Sequence, residues 1–303
     1  MLTKHIVHEN LVWVESNQFS EQDRSILLNE YSLPLGLLDY VSDDYEQSTY
    51  DYNAASGYHL MVINLPVLLE RKVRYTTRPI SFLFNESIIF TFNTGESDAI
   101  NEALRKQITE NKAQLTVNKM LASGLEEAFQ YFMTCFHTVM KTRHELDELI
   151  SRHMTNQNLL ELSYLQQTFS YFNHAAKSNV DALQMMLDAE YGKLLRPVEI
   201  EHFENLMVEA NQIKHMVRLE SEVVDKVAQV FDSVNNNNLN STMSILTFWS
   251  LALAVPTLVT GFYGMNVLLP SISPKYDWLI LLVISIVLIF LLIWTIKNSK
   301  RFK

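Results

Sequence analysis

Three regimes of hydrophobic spacing divide the chain. Over the first hundred residues, short apolar runs alternate with polar, turn-forming ones. Residues 11–14, 58–65, 80–84 and 87–92 are rich in β-branched and aromatic side chains, and Asn85-Glu86 joins the last two runs as a hairpin-like pair. Residues 20–30 and 35–41 read as short helices between these strands. The pattern predicts an α/β or α+β unit with a modest sheet.

After Thr94-Gly95 the spacing becomes helical. Residues 97–110 form a charged amphipathic pattern, and 118–153 and 159–191 two long helices around polar Thr155-Asn156-Gln157-Asn158. Gly192 then reads as a helix stop and Pro197 as a first-turn residue of the next helix. From there Phe203, Leu206, Ala210, Ile213, Val217, Val224, Val227, Phe231 and Val234 follow the spacing of a bundle or coiled-coil seam, with Glu220 breaking it at one seam position. No glycine or proline occurs between Pro197 and Pro256. A helix continuing to Tyr263 would be roughly 100 Å long at 1.5 Å per residue, and would need neighbours along its length. Asn235-Asn236-Asn237-Asn238 reads as a polar collar or a short helix interruption, with a direct cation role the lesser alternative.

The third regime is apolar. Residues 244–263 and 278–296 carry no charge, and each matches a hydrocarbon core of about 30 Å. Trp278 and Trp294 suit the two interfaces of the second span. That span is aliphatic nearly all round. The first is not: Asn240, Met243, Leu246, Ser250, Ala254, Thr257 and Gly261 fall on one stripe at steps of three or four. Such a stripe serves either as a helix-packing face or as a pore lining. Two spans cannot enclose a pore, so the second option requires an oligomer.

Charge orients these elements. The formal net charge is −10. Residues 241–303 carry Lys275, Lys297, Lys300, Arg301 and Lys303 against Asp277, a net +4, which leaves −14 on residues 1–240. An acidic domain of that kind repels nucleic acid and attracts divalent cations. The basic tail puts both termini in the cytoplasm and residues 264–277 outside. The first five residues lack the apolar core of a signal peptide. Cys135 is the only cysteine, which excludes an internal disulfide framework and any multi-cysteine metal cluster within one chain. The histidines show no zincin spacing and no nucleophile–base set is legible, so an enzyme is not expected.

Gly261-Phe262-Tyr263-Gly264-Met265-Asn266, at the end of the first span, resembles the Tyr-Gly-Met-Asn signature of the CorA family of magnesium transporters. The likeness runs over essentially the whole chain, and Pro34-Leu35…Asp39 resembles the family's His-Pro-Leu…Asp segment with Leu33 in place of the histidine. It implies a homopentameric funnel: an α/β cytoplasmic domain (1–117), long antiparallel helices (118–196), a stalk helix (197–243), a pore-lining first transmembrane helix (244–263), an outer loop (264–277), a second transmembrane helix (278–296) and a basic tail (297–303). It implies a selectivity filter of Gly264, Met265 and Asn266, with Asn266 holding Mg2+ through hydration water. Asn240, Met243, Leu246, Ser250, Ala254, Thr257 and Gly261 would line the pore, Met243 and Leu246 forming its hydrophobic gate. Mg2+ would be both cargo and regulator, with Asp39 a regulatory ligand. The neighbouring carboxylate of many relatives is here Leu38, and the stalk partners fall at Asn205 and Gln229, with Glu204, Glu209, Asp225 and Asp232 nearby. The outer loop has Leu268-Leu269-Pro270-Ser271-Ile272 without the glutamate common in relatives. Met265 argues against the zinc-transporting branch. Passage of Co2+, Ni2+ or Zn2+, or a membrane-anchored coiled-coil sensor, are the alternatives.

Overall fold

The computed structural model describes residues 2–69, 74–93, 98–111, 114–152, 155–265 and 276–298. The chain divides into two units, residues 1–228 and 229–303.

The first unit is built on a six-stranded mixed sheet of order β1-β2-β6-β5-β4-β3. The strands are β1 (Leu2–His8), β2 (Leu11–Asn17), β3 (Thr49–Asn53), β4 (Tyr58–Leu68), β5 (Tyr75–Phe84) and β6 (Ile88–Asn93). Only β2 and β6 pair in parallel, Val14 facing Phe90; the expected hairpin is β5–β6, with Phe84 opposite Ile89. Successive side chains of a strand point to opposite faces, and both faces here are apolar. One face buries Val14, Leu60, Val62, Leu83 and Phe90 under Leu27 of α1 (Glu21–Glu30) and Leu37 and Leu38 of α2 (Leu35–Ser42). Ser20 caps α1 with a reciprocal Ser20–Asp23 capping box.

The other face is covered by α3 (Ala99–Asn111), α4 (Val117–Arg152), α5 (Asn156–Asp188) and α6 (Glu190–Leu194). Phe132 and Phe172 meet at 5.3 Å between ring centroids in the α4–α5 core. Two polar contacts fix α5 on the sheet. Strand β3 ends opposite Val62, so Asn64 has no strand neighbour on that side. The side chain of Asn179 replaces it, accepting from Asn64 N at 2.8 Å and donating to Asn64 O at 2.9 Å. Thr168 Oγ1 likewise accepts from Tyr75 N at 3.0 Å. These buried backbone groups would otherwise be orphaned.

Gly192 does not stop the long helix. Helix α5 ends at Asp188 with Ala189 extended, and Gly192 lies inside α6. The reason for glycine is a close approach: a Cβ there would lie 1.9 Å from the Leu187 carbonyl oxygen. The α6 turn so formed puts Tyr191 against His59, at 4.9 Å between centroids, and its hydroxyl donates to Asn118 Oδ1 at 2.7 Å.

Helix α7 runs from Pro197 to Tyr263. Glu199, in its first turn, reaches back to the Arg196 N–H at 3.0 Å and caps the start. In the first unit, the seam residues Phe203, Leu206, Ala210, Ile213, Val217 and Val224 are buried as their spacing predicts. The break at Glu220 has a partner: Arg143 of α4, with Nε 3.1 Å from Glu220 Oε2. The pair is angled so that neither atom closes a hydrogen bond. Arg143 also engages Asp147 one turn along α4. Asn235–Asn238 are helical, so the run is no interruption.

The second unit contains the rest of α7 and α8 (Asp277–Asn298). Among the described residues, α7 is the one helix long and apolar enough to cross a membrane, and Trp278–Trp294 is a shorter apolar helix.

Candidate functional site

Helix α7 within the second unit has two distinct faces. Ser244, Phe248, Ala252, Val255, Pro256 and Val259 are half-buried, while Asn240, Met243, Leu246, Ser250, Ala254, Thr257 and Gly261 are all exposed. At 3.6 residues per turn the two sets lie on roughly opposite sides. Leu281, Ser285, Ile289 and Leu292 form a matching covered stripe on α8, with Ser285 8% exposed. Among the described residues of this unit, α7 and α8 are the elements available to cover one another. The predicted pore stripe therefore lies on the exposed side of α7, opposite its half-buried stripe.

The threonine hydroxyls in this part of α7 are internally engaged. Thr247 donates to Met243 O at 2.8 Å, Thr257 to Leu253 O at 2.8 Å and Thr260 to Pro256 O at 2.9 Å. A threonine that donates its proton to the previous turn keeps its oxygen lone pairs as outward acceptors. Pro256 contributes no N–H, and so removes the intrahelical donor to the Ala252 carbonyl. Gly261 is surrounded by open space: a Cβ there would meet nothing within 4 Å. Nothing among the described residues calls for a glycine at that position, although a helix-interior glycine costs about 1 kcal/mol relative to alanine.

Beyond Gly261 the helix closes in a turn. Gly264 N donates to Thr260 O at 2.9 Å and Met265 N to Phe262 O at 3.4 Å. Gly264 and Met265 are exposed, Met265 at 55%. Asn266 and the rest of the expected outer loop to Lys275 lie outside the described residues, as does the tail from Ser299.

Asp39 stands on α2, in the first unit. Its neighbours Leu37 and Leu38 are buried under the sheet, and its own side chain is exposed. Arg24 of α1 donates from Nη1 to Asp39 Oδ1 at 2.9 Å and from Nη2 to Ser42 Oγ at 3.0 Å. Ser42 Oγ in turn donates to the Asp39 carbonyl at 3.0 Å. Sequence spacing gives no sign of Arg24 or Ser42, because nothing local pairs two separate helices. Two further carboxylates belong to the turn after α2. Asp43 accepts from Tyr45 N at 2.8 Å, and Asp44 lies 3.8 Å from Arg78. No group of three or more His, Cys, Asp or Glu side chains able to hold a metal occurs among the described residues.

Two stalk carboxylates are perturbed in opposite directions. The hydrogen bond from the Arg196 side chain holds Glu199 below the usual carboxylate range. Burial, with Glu126 nearby, raises Glu209 above it.

A sequence model of the CorA-like Mg2+ transporter protein family matches residues 8–298. The chain belongs to this family. The cobalt/magnesium transport protein CorA of Methanocaldococcus jannaschii is 23% identical over 291 residues, covering 94% of this chain and 90% of the relative. The complete structure of the CorA magnesium transporter from the same organism matches with a TM-score of 0.78 at 21% identity, covering 96% of this chain and 91% of that one. The full-length CmaX protein matches with a TM-score of 0.72 at 15% identity, covering 95% and 88%. The α/β domain and long helix are thus those of the CorA fold. Members of the family are membrane ion transporters rather than enzymes, and this chain, as a CorA-like Mg2+ transporter protein, is one of them.

Proposed function

We propose that this CorA-family protein conducts hydrated Mg2+ into the cytoplasm, down its electrochemical gradient, as a homopentamer in the cell membrane. The observation that carries this reading is the two-faced α7. Its polar, small-residue stripe lies opposite the half-buried one and is left exposed, as a surface shared with other copies would be. Gly261 supports it, since open space around that glycine in one chain leaves room for close approach of a neighbouring copy or of the ion. In the first unit, exposed Val208, Leu219 and Val223 add an apolar face to α7 that its own chain does not cover.

In this assembly Gly264, Met265 and Asn266 form the filter at the outer mouth, with both termini cytoplasmic. Mg2+ dehydrates reluctantly. Neutral amide and carbonyl oxygens can hydrogen-bond its water shell without binding too tightly for release. Thr257 and Ser250 would continue the polar lining, and Met243 and Leu246 would gate it by dewetting. Moving two charges through 100 mV supplies about 4.6 kcal/mol, enough for roughly three decades of accumulation, so no nucleotide is required. Mg2+ lodged between acidic cytosolic domains would hold the gate closed, and its loss would release the stalks. The name of the M. jannaschii relative supports Co2+ as a second cargo.

The test is Mg2+ uptake by liposomes containing the purified protein under an inside-negative potential, with internal Mg2+ low and then high. Uptake is expected, and is expected to slow at high internal Mg2+; no uptake at low internal Mg2+ refutes the transport mechanism. A hydrogen bond to a charged group contributes about 1.5–3 kcal/mol, so Asn266→Ala should lower uptake by more than about tenfold. Unchanged uptake and selectivity in that variant would remove Asn266 from the filter.

A further inference from the structure

Asp39 is the residue on which the resemblance would place a regulatory Mg2+, and the side chains that its own chain sets around it do not supply a site for one. A Mg2+ site needs several oxygen ligands converging on one point. The adjacent residue, Leu38, is fully buried in the apolar core instead of offering a carboxylate. Within one chain, no three carboxylate or histidine side chains converge among the described residues. What does reach Asp39 is a cation of the protein itself. The guanidinium of Arg24 lies 2.9 Å from Asp39 Oδ1, and its second arm is held at 3.0 Å by Ser42. Ser42 is anchored in turn on the Asp39 carbonyl at 3.0 Å, so the fork is oriented from both ends. Glu21, one turn before Arg24 on α1, adds a carboxylate 3.9 Å from its Nε.

We propose that Arg24 is a tethered cation occupying the Asp39 position, so that the Asp39 carboxylate is neutralised in cis and this face of the cytosolic domain does not sense Mg2+ through it. The inference rests on the proposed feedback by cytosolic Mg2+, and restricts where that feedback acts. An arginine stays protonated at all physiological pH values. A carboxylate already paired with it offers a divalent ion a net charge near zero. A Mg2+ ion sharing the exposed second oxygen would sit about 5 Å from the guanidinium. In a water-like dielectric that repulsion alone lowers affinity by about tenfold. The pair is open to solvent on the Asp39 side, with that side chain 66% exposed. Its importance is therefore occupancy of the site rather than stabilisation of the fold.

The experiment is limited proteolysis of the full-length protein in detergent, titrated with MgCl2, scoring the concentration that halves the cleavage rate. It does not depend on flux, so failure of the transport reading and failure of this one are separable. In the wild-type background Asp39→Asn should leave the half-protecting concentration unchanged. Arg24→Gln should lower it by about tenfold, and Arg24→Gln/Asp39→Asn should abolish that gain. Arg24→Lys keeps the charge and should behave as wild type, which separates a charge effect from a damaged α1. The proposal is overturned if Asp39→Asn weakens protection while Arg24 is present. It is equally overturned if Arg24→Gln leaves the Mg2+ response, or its absence, as in the wild type.

Discussion

The ion pair between Arg143 and Glu220 should behave as a charge kept in an apolar seam for pairing rather than for net stability. Glu220 sits between Val217 and Val224, which are 0% and 1% exposed, and the Arg143 side chain is itself 9% exposed. Breaking a buried pair by removing one partner typically costs about 3–5 kcal/mol, because the other charge stays desolvated. Two features shift that value here. Glu220→Leu leaves Arg143 with Asp147, so its cost should fall to about 2 kcal/mol. Arg143→Leu strands Glu220, whose side chain is 19% exposed, and should cost about 3 kcal/mol or more. The double variant, with two leucines filling the seam, should return to within about 1 kcal/mol of wild type, since hydrophobic replacement of a buried pair is often neutral. Urea titration of the full-length protein in detergent, read by pulse proteolysis, gives the order directly. With an m-value near 2–3 kcal/mol/M, the single variants should lose about 1 M in midpoint. A double variant destabilised by the sum of the two singles would refute the argument, because the two side chains would then be acting independently. Two neutral single variants would refute it as well, since a buried, stranded charge cannot be cost-free.

How much of the fold and site is legible in the sequence follows from where each signal resides. The strands that β-branched runs reveal, at 58–65, 80–84 and 87–92, lie inside the sheet. The two strands that such runs do not reveal, β1 and β3, are its edges. Their sequences, Leu-Thr-Lys-His-Ile-Val-His and Thr-Tyr-Asp-Tyr-Asn, are polar because an exposed edge is kept from pairing with other chains by charge and polarity. The same chemistry erases the apolar alternation on which strand recognition depends. The α7 seam is legible down to the anomaly at Glu220, since burial at steps of three and four is a local pattern. Its partner is not, because Arg143 belongs to another helix and only tertiary packing brings the two together. Gly192 misleads for a related reason: a glycine required by close approach to Leu187 looks, in sequence, like one that ends a helix. In the candidate site, the stripe from Asn240 to Gly261 suits either packing or a pore lining. Burial adds that this stripe is exposed within one chain while the opposite side is half-buried, a difference that spacing alone does not carry.

Two further outcomes test local parts of this reasoning. Gly192→Ala should force α6 away from Leu187 and displace Tyr191 from Asn118 and His59, lowering stability by about 3 kcal/mol. A melting temperature in detergent within a degree of wild type would show that the turn relaxes freely. Glu199 gives a pH signature whose sign is fixed by its surroundings. The hydrogen bond from the Arg196 side chain, and a second from the Arg196 N–H, hold its folded pKa below the unfolded value of about 4.3. A carboxylate shifted in that direction stabilises the fold above its unfolded pKa, and the contribution disappears as pH falls through the lower, folded value. Glu199→Gln should therefore be less stable than wild type by about 1 kcal/mol at pH 7, the usual size of a helix-capping interaction. The two melting curves should converge in acid, where the wild-type carboxylate is protonated and no longer distinguishable in charge from the amide. A difference that persists undiminished well below pH 4 would mean that the amide fails for reasons of shape. The capping charge at the start of α7 would then contribute nothing of its own.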